Sequence, residues 1–598
     1  MLEVITEESE LQLLLSYLSE AKIFAFDTET HGLHGELVGM SFATDPHRGW
    51  YIPVGHRTLL DKQLEFSYVI NELKRSNIFK NTVIGWNIAY EKLTMRKYEI
   101  EIPRYEDAQI IGWLVNENRP RALKERSTIE FKLKPNPNYS QMFGKRLSGD
   151  ISIQEMFPYA IKDACLTWRI YWHLLEKLDK LNLVDLYRQV ELPFVEVITD
   201  MIYRGIKVDR KVIEAQKIVF SKNIREAQER IWAKAGRMFN INSRKQLGQV
   251  LFEEMDLSYP PLTATGQYKL NKEVINHYKE LGYPIAKDLA IYNSQKTLLE
   301  KFTDKLLEKL DGKNRVHPSF NQTGTETGRL SCSKPNFQQI TKEGNIRRAF
   351  IPDKGYIFLI ADYSQIEYRM MAHLSGDKVM VDAFLDDLDL HSVTASSMNG
   401  YSYEEFEKLR KEEDRDKSLP EEKRIFKKLR NQAKVVNFGV MYGMHTRLDL
   451  GVDEEFLKRY YSIHSGVKSY VKDFKQKTLV DGFTKTILGR RRNLPNLYSK
   501  DRDQVPAALR EALSAKVQGS ATGDFIKVSM INLYRAIKEK GYDAHIIAQI
   551  HDEIIIECKE EQAEEVRILM KEKMENALPL RVPVKAEPVI CKNWQEGK

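Results

Sequence analysis

Two carboxylates, Asp27 and Glu29, stand two residues apart at the end of an apolar run, KIFAFDT (Lys22–Thr28). In a strand that spacing turns both toward one face of the pleat. Far downstream, Tyr159 and Asp163 stand four apart in YAIKD, within an amphipathic run to Lys180 that reads as helix, so they too share a face. Carboxylates delivered this way can hold a pair of divalent cations that clamp the attacking and leaving oxygens of a phosphodiester displacement, while a tyrosine hydroxyl orients the water. Taken alone, DxE also suits a solvated strand end.

A second set lies in the C-terminal two-thirds. The apolar run YIFLIA (Tyr356–Ala361) delivers Asp362, and HIIAQIHDEIIIE sets His551, Asp552 and Glu553 between two apolar strands, at what reads as a hairpin tip. Asp362 and Asp552 on neighbouring strand ends could bind two divalent ions that activate a 3′ hydroxyl and neutralise a triphosphate. Between them Arg430, Lys434, Phe438 and Tyr442 recur every four residues. On a helix they form one stripe of two cations and then two rings, suited to phosphates and to stacking on bases. The same stripe also suits an amphipathic helix whose cations snorkel over an aromatic edge.

The elements that must position these groups fall into two patterns. To about residue 180 short strands (Lys22–Thr28, Leu37–Ala43, Gly49–Val54, Val83–Trp86) alternate with helical stretches, an α/β layer. Residues 186–310 read as mostly helical, and strands return from 315 onward. The chain of 598 residues, 42% hydrophobic, excludes a disordered polymer or a small disulfide scaffold. Its net charge of +7 permits a nucleic-acid partner without requiring one. Four scattered cysteines argue against a zinc site or a disulfide framework. There is no signal-like N-terminus and no apolar stretch long enough to span a bilayer. A cytoplasmic protein is expected. Glu404–Lys428 is almost a continuous charge run, read first as a solvated helix face.

The motifs resemble those of two known families. DTET (Asp27–Thr30) and YAIKD are similar to the first and third motifs of the DEDDy 3′–5′ exonucleases. The second appears as GWNIAYE (Gly85–Glu91), with Glu91 where that class has Asp. Asp107 matches a further acidic position, though a capping role fits it equally well. DYSQIE, the R-x-x-x-K-x-x-x-F-x-x-x-Y-G helix and QIHDE resemble motifs A, B and C of the family A DNA polymerases, in the family's order. TGTETGRLSCSKPNFQQI (Thr323–Ile340), RRAF (Arg347–Phe350), Glu191–Asp209, Phe239–Phe252 and GRRRNLP (Gly489–Pro495) extend the likeness over essentially the whole chain.

The resemblance implies an α/β plus α+β multidomain fold. An RNase H-like exonuclease domain (1–180) precedes a right-hand polymerase domain (186–598), with thumb about 200–314, palm about 315–375 and 480–598, and fingers about 376–479. It implies two Mg²⁺ per active site, with Mn²⁺ as an alternative. The polymerase metals would be held by Asp362, Asp552 and the Tyr363 carbonyl, the exonuclease metals by Asp27, Glu29, Glu91 and Asp163, with Tyr159 orienting the water. Glu367 would select deoxyribose. Arg430, Lys434 and His391 would contact phosphates, Lys434 could protonate pyrophosphate, Phe438 would face the sugar and Tyr442 the template base. Arg329, Asn336, Gln338, Arg510, Gln518 and His551 would touch primer–template DNA. The expected partners are that DNA and deoxynucleoside triphosphates, and the protein is expected to be a monomer without a 5′-nuclease domain.

Several departures carry their own expectations. Glu91 should weaken the exonuclease, since a displacement of about 1 Å costs on the order of 100-fold. Ser514 stands where the family has Asn. QGSATGDFIK has one extra residue before Asp524, which therefore receives no role. Arg490–Arg492 fit phosphate contact, and the long connection from His391 to Arg430 is either an added DNA contact or an inert helix. A nuclease whose second half only binds DNA, and a non-enzymatic DNA clamp, are the rival readings.

Overall fold

The computed structural model describes residues 2–597 apart from 33–34, 59–60, 259–261, 264–265, 342, 417–418, 421–423, 442–451 and 502. The N-terminal unit is a six-stranded mixed sheet, β1 (Leu2–Val4), β2 (Ile23–Thr30), β3 (Leu37–Ala43), β4 (Gly49–Pro53), β5 (Thr82–Gly85) and β6 (Tyr105–Asp107), in the order β1-β4-β3-β2-β5-β6. Central β2 runs antiparallel to β3 and parallel to β5. It extends two residues past the expected Thr28, so Glu29 lies inside the ladder with Asp27. Helices α1 (Ile88–Arg96) and α3 (Ile153–Lys180) cover the sheet, and α2 (Leu123–Phe131) packs on α3. Ser152 starts α3 by accepting from the Glu155 amide, the cap expected of serine ahead of an apolar-periodic run.

After α4 (Leu192–Arg204), helices α5 (Arg210–Ala235) and α6 (Pro284–Leu299) pack side by side. They share an apolar cluster of their own, with Ile231, Phe252, Leu289 and Tyr292 buried. The main core is continuous from the first sheet to a second one. That second sheet is antiparallel: β7 (Tyr356–Asp362), β8 (Ala544–Ile550), β9 (Glu553–Lys559) and β10 (Val589–Cys591), in the order β8-β9-β7-β10. Runs of Ile and Leu on β7 and β9 are buried on both faces, which explains why neither strand alternates polar and apolar residues.

Helix α7 (Ile366–Ser375) leaves the end of β7. A helical layer follows: α8 (Leu390–Asn399), α9 (Tyr403–Arg415), α10 (Ile425–Met441), α11 (Glu454–Ile463) and α12 (Ser465–Asp481). Helix α13 (Gln504–Gln518) returns the chain toward the sheet. The charge run is neither featureless nor wholly solvated. Phe406 on α9 is buried against Phe426 of α10, and the Glu413 carboxylate accepts from the Phe426 and Lys427 amides at 3.1 and 3.0 Å. It thereby satisfies free donors at the start of α10. Among the described residues, no helix is long and apolar enough to cross a membrane.

Candidate active sites

The β7–β9 ladder pairs Tyr356 with Lys559 and continues without a slip to Asp362 opposite Glu553. Asp552 precedes Glu553, so register alone brings Asp362 and Asp552 to adjoining strand ends. The Tyr363 amide donates to the Asp552 carbonyl at 3.1 Å and fixes that junction. Asp362 is exposed and Asp552 half-buried, while Glu553 is 1% exposed and accepts from the Trp594 indole at 2.7 Å. The two-residue turn needs a left-handed backbone at His551, φ 59°. Its Nε2 donates to the Gln338 carbonyl at 3.1 Å, which joins the hairpin tip to the Asn336–Gln339 segment. The Arg347 guanidinium lies over the Trp594 ring at 4.3 Å. Burial lowers its pKa, while Glu553 and Asp362 pull the other way.

Helix α10 presents Lys434 and Phe438 to solvent, with Arg430 half-buried one turn before them. Arg430 Nε donates to Asp389 Oδ2 at 2.5 Å, and Asp389 caps α8 through the His391 amide at 3.1 Å. The Phe438 ring stands 5.0 Å from that of Tyr368, on the helix that carries half-buried Glu367. Tyr442 lies outside the described residues. The His391 ring is 3% exposed, with Nδ1 3.1 Å from the Asn437 amide nitrogen, and burial pushes its pKa down to about 4. A neutral ring offers a phosphate a hydrogen bond rather than a charge.

The residues expected at the primer–template lie on three segments. Arg329 is half-buried; Asn336 accepts from the Gln338 amide at 3.0 Å, and the Gln338 side chain donates to the Leu330 carbonyl at 2.7 Å. Arg510 and Gln518 sit half-buried on α13, with Ser514 between them. Arg490 requires a correction. It is 3% exposed and bonded to Glu191 at 2.5 Å and Asp524 at 2.9 Å, because a guanidinium so enclosed must be paired. Arg492 binds Glu117 and Glu511 rather than standing free.

In the N-terminal unit, Asp27 and Glu29 from β2, Glu91 from α1 and Asp163 from α3 form one electrostatic cluster. Desolvation and then Asp163 push Asp27 up to about 8; desolvation and then Asp27 push Glu29 well above the carboxylate range. Glu91 is likewise raised by burial and by Asp27, and Asp163 is raised to about 6 chiefly by burial. Glu91 Oε2 and Asp163 Oδ1 are buried without a hydrogen-bond partner. Lys124, on α2, enters this cluster with Nζ 3.3 Å from Asp163 Oδ2 and 3.0 Å above the Tyr159 ring. It was not foreseen, since nothing in ALKERS distinguishes one lysine among many. Asp107 is a double cap, accepting from the Ile88 amide at 2.9 Å and the Ile110 amide at 3.0 Å.

Four repelling carboxylates, two of them with an orphaned oxygen, are a hard-oxygen donor set of the kind divalent cations take. Among the described residues no group of three or more His, Cys, Asp or Glu side chains is arranged to hold a metal ion, so the fit rests on donor chemistry.

Comparison with known proteins places this geometry. DNA polymerase family A matches residues 210–596, and the family described as 3′-5′ exonuclease matches residues 2–179. The chain belongs to DNA polymerase family A. DNA polymerase I of Pseudomonas aeruginosa is 31% identical over 625 residues, covering 100% of this chain and 66% of the relative. Thermostable DNA polymerase I of Thermus filiformis is 35% identical over 483 residues, covering 79% of this chain and 54% of the relative. The chain thus spans between half and two-thirds of the length of these relatives. The solved polymerase domain of Pol1 from M. smegmatis, in complex with DNA primer-template and dNTP, superposes with a TM-score of 0.83 at 28% identity and covers 100% of both chains.

Within this family A chain the departure before Asp524 has a structural reason. Gly519–Phe525 is wound as a π-helix, a geometry that absorbs one extra residue per turn. Asp524 then points at Arg490 and also accepts from the Leu488 amide at 3.1 Å, so the residue given no role is part of the buried ion cluster.

Proposed function

We propose that the chain is a template-directed DNA polymerase that extends a primer 3′ end with deoxynucleoside triphosphates and edits it with a 3′–5′ exonuclease. The observation that carries this reading is the unslipped β7–β9 register, which sets Asp362 beside Asp552. Two Mg²⁺, or Mn²⁺, held there by both aspartates and the Tyr363 carbonyl would supply Lewis-acid activation of the 3′ hydroxyl and charge neutralisation of the triphosphate. Arg430 and Lys434 sit one turn apart on α10 to bind phosphate oxygens, and Lys434, the more exposed, is placed to deliver a proton to pyrophosphate. Phe438 and Glu367 flank the position of the sugar, and Arg329, Asn336, Gln338, Arg510, Gln518 and His551 line the duplex.

In the editing site Asp27, Glu29, Glu91 and Asp163 would hold the metals and Tyr159 would orient the attacking water. The reading also makes the protein a cytoplasmic monomer acting in DNA replication or repair. Extension of a matched and a mismatched primer, with and without Mg²⁺, tests it. Metal-dependent incorporation and preferential removal of the mismatched nucleotide are expected; binding of DNA without incorporation would overturn the polymerase half.

A further inference from the structure

Five buried polar side chains on four segments of the helical layer form an unbroken hydrogen-bonded chain. Asp377 follows α7, His391 and Thr394 lie on α8, Asn437 on α10, and His464 between α11 and α12. Their exposures are 1, 3, 0, 2 and 0% respectively. The Asn437 amide nitrogen lies 3.1 Å from His391 Nδ1 and 3.2 Å from Thr394 Oγ1; Thr394 Oγ1 lies 3.1 Å from His464 Nε2, and His464 Nδ1 3.1 Å from Asp377 Oδ1. Asp377 Oδ2 accepts from the Gly466 and Val467 amides at 2.9 and 3.3 Å.

Donors and acceptors along it can run in one sense. The Asn437 amide donates to His391 and to Thr394, the hydroxyl donates to His464 Nε2, and His464 Nδ1–H donates to Asp377. Among the described residues, the Leu390 carbonyl, 2.9 Å from Thr394 Oγ1, and Asn437 Oδ1, at 3.5 Å, are the other acceptors within the hydroxyl's reach. In so dry an interior each of these groups must be satisfied, so displacing one helix leaves polar atoms of its neighbours unpaired.

The position of the chain gives it a role. Asn437 immediately precedes Phe438, about 100° round the helix, so the face carrying Lys434 and Phe438 cannot turn without moving Asn437. At the other end Asp377 caps the helix after α7 through the Met380 amide at 3.1 Å, just beyond the helix that carries Glu367. Resting on the polymerase reading above, we infer that Asp377, His464, Thr394 and Asn437 are positioning residues. They set the orientation of the α10 nucleotide face relative to the palm and fix the His391 ring.

Thr394→Val, nearly isosteric, deletes the middle of the chain. It should raise the dNTP Kd about five- to tenfold, the worth of one or two lost hydrogen bonds. Primer–template affinity and 3′ nucleotide release by the N-terminal domain should stay at parental levels. Asn437→Leu and His464→Leu should each weaken dNTP binding by a comparable factor. The double variant should be little worse than either single one, because both break the same chain. Unchanged dNTP affinity in Thr394→Val, or losses in the double variant that multiply as for independent sites, would overturn the inference. If the leucine variants also lose exonuclease activity, Thr394→Val alone decides. Failure of the parent protein to incorporate nucleotides would instead overturn the polymerase reading.

Discussion

At Glu91 a buried carboxylate oxygen lacks a hydrogen-bond partner, in a cluster where Asp27 and Glu29 are already pushed toward the protonated state. The longer side chain is visible in GWNIAYE, and the proposal that it weakens the exonuclease has a direct test. Glu91→Asp should raise 3′ nucleotide release by about tenfold or more, given what a displacement of about 1 Å costs; single-turnover digestion of a 3′-labelled strand measures it, and equal or lower activity would contradict impairment. The same cluster sets a pH dependence. A carboxyl whose folded pKa is raised stabilises the fold fully below its unfolded pKa, and that contribution disappears as pH rises through the folded value. In chelator-treated protein, stability against urea should therefore fall between about pH 4 and pH 8, the interval over which Asp27 is raised to about 8. Asp27→Asn should flatten part of that fall, and an unchanged slope would show that Asp27 is not the group responsible. What single residues did not disclose was Lys124 beneath Tyr159, because its approach depends on how α2 packs across α3.

Among the elements, β7 and β9 were the most legible, since apolar runs ending in Asp362 and flanking His551–Asp552 leave few other pairings. Helix α10 was legible as a stripe but not as a partner of α9, because the charge run conceals one apolar contact, Phe406 with Phe426, and one capping carboxylate. This contact ties the connection to α10, whichever of its two expected roles it has, added DNA contact or inert surface helix. Glu413→Ala should remove about 1 kcal/mol of capping from α10 and raise the dNTP KM a few-fold in steady-state extension. Primer–template affinity measured by anisotropy should not change; a loss of DNA affinity would favour the DNA-contact reading. The enclosure of His391 was hidden for a related reason. A histidine after Asp389 looks available in sequence, and only the packing of α8 on α10 shows that Asn437 and Tyr368 enclose it.

Across the whole molecule, the N-terminal unit and the rest of the chain are joined by polar contacts that no motif announced. The Trp113 indole donates to the Thr325 carbonyl at 3.1 Å and Glu117 receives Arg492 at 2.8 Å; within the C-terminal part, Arg490 links Glu191 to Asp524. GRRRNLP looked like a phosphate site because sequence shows the charges but not the acids that meet them, from 19 to 375 residues away. Burial pushes Glu191 up, but Arg490 and Lys527 outweigh it and hold its pKa below the ordinary value. Arg490→Met should therefore cost about 3–5 kcal/mol in urea unfolding followed by fluorescence. A change within about 0.5 kcal/mol would show that the cluster contributes nothing net. Rapid-quench incorporation of one nucleotide in Mg²⁺ by Asp362→Asn and Asp552→Asn probes the paired strand ends. Each variant should lose at least about a thousandfold in rate, on the scale of removing a principal catalytic group, while still binding primer–template and still releasing 3′ nucleotides. Parental incorporation by either variant would contradict the account.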